Sequence, residues 1–289
     1  MIPPIASRFV AGETAPEAIE RARALDERGV GTILNLLGEH YHERRPADED
    51  TDAYLGVLDD LSSMDANACI SIKPSQIGLD VGADAGERPT EQGRAVFEEN
   101  LGRIVEAADE RDVFVWVDME DHPTTDATLD AYEKYTTEYG GGVGVCVQAN
   151  LQRTREDVER LASLPGKVRL VKGAYDEPAD VALKQKADVN ERYRELLHYA
   201  FEHFEGTVAV GSHDPEMIDL AIELHSEHST DFEIQMLMGV REDAQFELAE
   251  EYEMYQYVPY GGKWLSYFYR RAMERKENLV FALRAIIGR

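Results

Sequence analysis

Eight short apolar runs rich in β-branched residues recur along the chain: 31–37 (GTILNLL), 68–74 (ACISIKP), 113–119 (VFVWVDM), 144–149 (GVCVQA), 167–173 (KVRLVKG), 207–213 (TVAVGSH), 232–237 (FEIQML) and 255–261 (YQYVPYG). Each is nearly continuous in apolar character and gives way to a polar residue or glycine, as a parallel strand buried on both faces does. Amphipathic stretches with helical spacing separate them, among them 91–110, 125–139, 155–164, 180–204 and 215–228. Thr124 precedes one helix. His213, Asp214 and Pro215 open another, with an acid at the cap and proline at the first helical position. Parallel strands need such crossovers, and eight of them close a (β/α)8 TIM-type barrel of about 250 residues. The 289 residues then read as a single α/β barrel domain over 1–289 with extra N-terminal and C-terminal helices. An open doubly wound sheet is the architectural rival, but no GxGxxG follows the first run, so a Rossmann site is not supported. Residues 77–89 read as a long loop after the second strand.

Charge changes the picture of the solvent more than that of the chemistry. The chain carries 57 acidic against 30 basic residues, a net charge of -27, and only 8 of the basic residues are lysine. Such a surface repels nucleic acid and anionic lipid heads. An acidic partner-binding surface, a disordered chain and adaptation to high salt compete as explanations. The acids lie along ordered helical patterns, which opposes disorder, and the depletion of lysine favours a halophilic protein. No run of 18 apolar residues suggests a spanning helix, and the start lacks a signal-peptide pattern. Cys69 and Cys146 sit in apolar runs and read as buried free thiols, which fits a cytoplasmic protein.

In such barrels chemistry sits at the C-terminal ends of the strands. The polar residues there are Glu39, Lys73, Asp118, Gln148, Arg169, Lys172, His213, Gln235 and Tyr257. Burying so many polar groups in one mouth costs stability unless they pair or bind something. The set is rich in cations and suits an anionic ligand carrying phosphates and a carboxylate. Taken singly, each residue has a plainer reading. Lys73 and Asp118 make a structural ion pair, His213 caps a helix, Gln148 satisfies backbone groups, Gly38 and Gly173 are turns, and Arg270 and Arg271 form a solvated face. The cluster Glu39-His40-Tyr41-His42 lacks a zinc spacing and a distant partner, so no metal is expected.

The segments SIKPSQIGL (71–79), VDMED (117–121), VCVQANLQR (145–153), VRLVKGAY (168–175), GSHD (211–214), FEIQMLMGVR (232–241), YVPYG (257–261) and YFYRRAMERKENLVFALR (267–284) resemble, in order, those of the proline dehydrogenase family. That resemblance implies a flavin barrel that oxidises L-proline to 1-pyrroline-5-carboxylate, the first step of proline degradation to glutamate, with hydride passing from proline C5 to FAD N5. It places Met119, Gln148, Lys172, Gly173, Ala174, Ser212 and His213 against FAD, with serine standing at 212 where the family usually has threonine. Arg169 is expected near the flavin ring. Lys73, Asp118, Tyr257, Arg270 and Arg271 are expected around the substrate, with the arginines on its carboxylate and Leu237 and Tyr257 on its ring. Asp118 is expected to pair with Lys73, and Glu39 to close a gate with Arg270 or Arg271. The electron acceptor implied is a quinone or another oxidant, which leaves peripheral membrane contact open. Two other classes stay open from the residues alone. One is a Schiff-base aldolase using Lys73 or Lys172; the other is a silent acidic binding module.

Overall fold

In a computed structural model of the chain, all eight apolar runs form parallel strands that pair in sequence order, and the last closes onto the first. The structure describes residues 2–3, 6–84, 86–265 and 267. The strands are β1 (Gly31–Leu36), β2 (Ala68–Ile72), β3 (Val115–Val117), β4 (Val143–Gln148), β5 (Lys167–Val171), β6 (Val208–Gly211), β7 (Phe232–Leu237) and β8 (Met254–Tyr260). Helix α1 (Ala15–Asp26) precedes the barrel, as the extra N-terminal helix does in the sequence reading. The crossover helices are α2 (Arg44–Ser62), α3 (Glu91–Asp109), α4 (Thr125–Glu138), α5 (Thr154–Leu161), α6 (Lys186–His203), α7 (Pro215–His228) and α8 (Glu242–Leu248). Trp264, Leu265 and Tyr267 are helical, while Arg270 and Arg271 lie outside the described residues. The closed order excludes the open-sheet rival.

Local chemistry explains most boundaries. Asp214 accepts a hydrogen bond from the Glu216 amide at 3.2 Å, with Pro215 at the first position of α7, so the cap is Asp214 and not His213. Thr90 does the same for α3 through the Gly93 amide at 3.0 Å. Thr124 departs from expectation. It ends a 3-10 turn over His122–Thr124, has helical backbone angles itself and makes no side-chain cap. The expected helix over 180–204 starts only at Lys186. Backbone groups of 181–183 pair instead with the loop after β4, through Gln152 N to Val181 O at 2.9 Å and Leu183 N to Asn150 O at 2.7 Å. Those pairings spend the donors and acceptors that a helix there would need.

Inside the barrel, Trp116 is buried with Ile33, Cys69, Ala209 and Tyr255. A Cβ at Gly144 would lie 2.6 Å from the Trp116 ring, so only glycine on β4 admits the indole. Truncating Trp116 to alanine would cost about 3–5 kcal/mol. Cys69 and Cys146 are both free and buried. The outer core packs the apolar faces of the helices on the strands.

Candidate active site

A cleft of about 670 Å³ opens at the C-terminal ends of the strands, within the usual range for small-molecule sites. Lys73, Asp118, Met119, Gln148, Arg169, Lys172, Gly173, Ala174, Ser212, His213, Leu237 and Tyr257 all line it. Parallel pairing in sequence order delivers them there: Arg169 and Tyr257 lie within β5 and β8, Gln148 and Leu237 end β4 and β7, and the others follow their strands. Glu39 stands half-exposed on the loop after β1 and is not among the lining residues.

Asp118 is the hub. Its carboxylate accepts from Ser71 Oγ at 2.7 Å, Lys73 Nζ at 3.1 Å and Tyr257 Oη at 2.7 Å, and from the Arg169 guanidinium. Strands β2, β5 and β8 therefore converge on one residue after β3. Burial alone would raise this carboxyl, but Lys73, Arg169 and the two hydroxyls outweigh it and hold it at about 2. Burial pushes Lys73 down, and Asp118, Tyr175 and Glu120 more than reverse this, so its ammonium is held protonated. Arg169 is 4 % exposed and lies over the rings of Trp116 and Tyr257, with centroids at 4.8 Å and 5.7 Å. Its second nitrogen donates to Gln235 Oε1 at 3.0 Å.

The far side of the cleft is also cationic. Lys172 Nζ donates to Asp214 Oδ2 at 2.7 Å and Asn190 Oδ1 at 2.6 Å, tying β5 to α6 and α7. Lys186, the first residue of α6, joins Lys172 and His213 in the lining; the sequence reading did not single it out. Gly173 has φ of +104°, and a Cβ there would lie 2.0 Å from Asn150 Oδ1. Glycine there adopts the left-handed backbone and makes room for the Asn150 side chain, while Gly173 itself lines the cleft. Asn150 Oδ1 is buried with no hydrogen-bond partner among the described residues. Gln148 Nε2 donates to Glu120 O at 2.7 Å, so this side chain serves the backbone of the neighbouring strand end.

Sequence reasoning missed a second carboxyl. Glu120, fully buried, accepts from Ser75 N and Ser75 Oγ, each at 2.7 Å. Ser75 Oγ in turn accepts from His40 N at 2.9 Å. Glu120 thus anchors the loop that carries Glu39. Burial pushes its pKa up to about 7, against opposing contributions from Lys73 and Ser75. His40 is pushed up to about 9, chiefly by its hydrogen bond to Asp80 at 2.8 Å. The motif VDMED carried the signal, since it places Glu120 two residues after Asp118.

A family model described as proline dehydrogenase matches residues 18–284. The chain belongs to the proline dehydrogenase family. Among curated relatives, proline dehydrogenase of Deinococcus radiodurans is 36% identical over 290 residues, spanning 98% of this chain and 90% of that one. Proline dehydrogenase 2 of Bacillus subtilis is 33% identical over 285 residues, spanning 97% and 90%. The barrel is similar in fold to a crystal structure of proline utilization A from Bdellovibrio bacteriovorus inactivated by N-propargylglycine, with a TM-score of 0.82 and 22% identity. That match covers 92% of this chain and 32% of the other, so the chain spans about a third of that longer protein. Family membership bears on the two rival classes, and the site bears on them too. A Schiff-base lysine needs a depressed pKa, whereas Lys73 is raised and paired with Asp118, and Lys172 is paired with Asp214. Among the described residues there is no group of His, Cys, Asp or Glu able to hold a metal. No described helix is long and apolar enough to cross a membrane.

Proposed function

We propose that this protein, over residues 1–289 as one barrel domain, is an FAD-dependent enzyme that oxidises L-proline to 1-pyrroline-5-carboxylate, the first step of proline degradation to glutamate. The observation that carries the reading is the Asp118 hub, which concentrates Lys73, Arg169 and Tyr257 at the floor of a cation-rich cleft. The residues fit the cofactor. Lys172, Lys186 and the N-terminus of α6 suit the pyrophosphate of a dinucleotide. Gly173, Ala174, Ser212 and His213 offer close backbone and polar contacts, and Met119 and Gln148 close the β3–β4 side. A bound FAD supplies the two-electron acceptor for a hydride from proline C5.

The protein's own groups do the rest. Arg169 sets a fixed positive charge at the floor, where negative charge builds as hydride arrives. Lys73 takes the proline carboxylate together with Arg270 and Arg271. Leu237 and Tyr257 pack on the apolar ring. Asp118 acts through others, keeping the Lys73 ammonium, the Tyr257 hydroxyl and Arg169 in place. Glu39 closes the mouth with Arg270 or Arg271, excluding water. The substrate amine must lose its proton before hydride leaves, so the rate rises with pH. A quinone or another electron acceptor completes turnover, with peripheral membrane contact if the acceptor is a lipid quinone. The excess of carboxylates is an adaptation to high salt, where the screening length falls to about 3 Å at 1 M.

The test is an absorption spectrum of protein reconstituted with FAD in high salt, before and after anaerobic L-proline. A flavin spectrum that bleaches supports the reading, and protein that stays colourless overturns it. A melting temperature that rises with salt supports the adaptation; a flat or falling one refutes it.

A further inference from the structure

A line of polar side chains runs through the barrel interior beneath Arg169. At its start Lys167 Nζ lies 2.5 Å from Glu233 Oε2, over the rings of Phe114 and Tyr255 at 5.0 Å and 5.8 Å. Glu233 is 1 % exposed, and its other oxygen accepts from Gln235 Nε2 at 2.5 Å. Gln235 Oε1 accepts from Arg169 at 3.0 Å, and Arg169 donates onward to Asp118, which also holds Lys73. Charge alternates along this line: ammonium, carboxylate, neutral amide, guanidinium, carboxylate, ammonium. Burying so many polar groups is costly unless each is satisfied. A hydrophobic barrel core would be the plainer solution, so the line asks for a function.

The strand between makes the contact possible. Arg169 pairs in register with Ala209, and Ala209 with Glu233. Gly211 pairs with Gln235. A Cβ at Gly211 would lie 3.2 Å from Arg169 Cγ and 2.7 Å from Val171 Cγ1. Small residues on β6 thus let side chains from β5 and β7 meet across it. The amide of Gln235 has only one useful orientation. Arg169 donates and never accepts, so the amide oxygen must face it and the NH₂ must face Glu233. Glu233 supplies the acceptor that rewards this orientation, and Lys167 balances the charge of Glu233.

We propose that Glu233 and Gln235 are positioning residues that, with Lys167 as counterion, fix the Arg169 guanidinium at the floor of the cleft and so set how strongly the site favours reduced over oxidised flavin. The inference rests on the flavin reading above. Without Gln235 the guanidinium keeps Asp118, Cys146 and its two ring contacts but loses the acceptor that fixes its second nitrogen, so its charge is less tightly placed.

The experiment compares wild type with Gln235→Leu, which removes the acceptor, and Gln235→Asn, which keeps the amide but is one carbon too short to reach both partners. Each apoprotein is titrated with FAD, melted, and poised against redox dyes. Both variants should still bind FAD, and their preference for the reduced form should fall about tenfold, a negative shift of about 30 mV for a two-electron couple. Glu233→Gln, which keeps an acceptor for the amide, should shift less. A lowered melting temperature alone would follow from any buried polar loss, so the potential decides. Wild-type potential in both Gln235 variants overturns the inference. Wild type that takes up no FAD overturns the flavin reading itself, which keeps the two failures distinct.

Discussion

Asp118 and Glu120 stand two residues apart at the end of β3, both buried, yet their carboxyls are driven in opposite directions, to about 2 and to about 7. Asp118 faces the cleft and meets Lys73 and Arg169 directly. Glu120 faces the loops after β1 and β2, and its hydrogen bonds come from the neutral amide and hydroxyl of Ser75. Desolvation raises both. Only contact with full positive charge outweighs it; neutral donors, with Lys73 acting at a distance, do not. One strand end therefore carries a permanent anion that organises the cleft and a titrating acid that holds the loop beside it.

Removing the permanent anion should have the largest effect. Asp118→Ala leaves Lys73 and Arg169, whose side chains are only 14% and 5% exposed, without their carboxylate. Breaking such a buried pair from one side costs about 3–5 kcal/mol. Chemical denaturation should register that loss, and reduction of bound flavin by proline should be abolished. Wild-type stability in this variant would mean that the hub is not electrostatically coupled.

The pH dependence sharpens the comparison, because the two signs oppose. The folded pKa of Asp118 is depressed, so its stabilising contribution is present above about 4 and is lost as pH falls towards 2. The folded pKa of Glu120 is raised, so the native state holds its proton more tightly than the unfolded chain. Its contribution is present below about 4 and is lost as pH rises to about 7. At roughly 1.4 kcal/mol per pH unit the Glu120 swing is on the order of 3 kcal/mol. Glu120→Gln imitates the protonated acid and cannot titrate. The variant should lose less stability than wild type between pH 4.5 and 7, read as denaturation midpoints across that range. Parallel profiles for the two proteins would remove Glu120 as the titrating group.

The sequence disclosed the first of these carboxyls and not the second, for a physical reason. Period and composition locate strands, and polar residues at the ends of apolar runs or interrupting them stand out, so Asp118, Lys73, Arg169 and Tyr257 were legible. Their convergence on Asp118 depends on barrel closure, which only the register supplies. Glu120 lies past the strand, in a loop whose path periodicity does not describe, and its partner Ser75 lies in another loop. The expected helix start at Asp180 failed for a related cause. Composition there permits a helix, but pairing with the loop around Asn150 wins the backbone. Lys186 became visible only once α6 was seen to begin at it, facing the cleft.

The smallest expected effect separates the two serines that serve these acids. Ser71 Oγ donates to Asp118, a hydrogen bond to a charged group worth about 1.5–3 kcal/mol, while Ser75 Oγ donates to Glu120, which is neutral over much of the acidic range, and is worth about 1 kcal/mol there. Ser75→Ala should therefore cost less than Ser71→Ala, and its cost should grow as Glu120 ionises near pH 7. The Ser75 hydroxyl also accepts from His40 N, whereas Tyr41 N donates to the backbone oxygen of Ser75 at 3.1 Å. The substitution removes the first acceptor and spares the second. Amide hydrogen exchange should accordingly quicken at His40 and stay near wild type at Tyr41. Equal acceleration at both would show that the whole loop had come loose, and that the Ser75 hydroxyl does more than bridge His40 to Glu120.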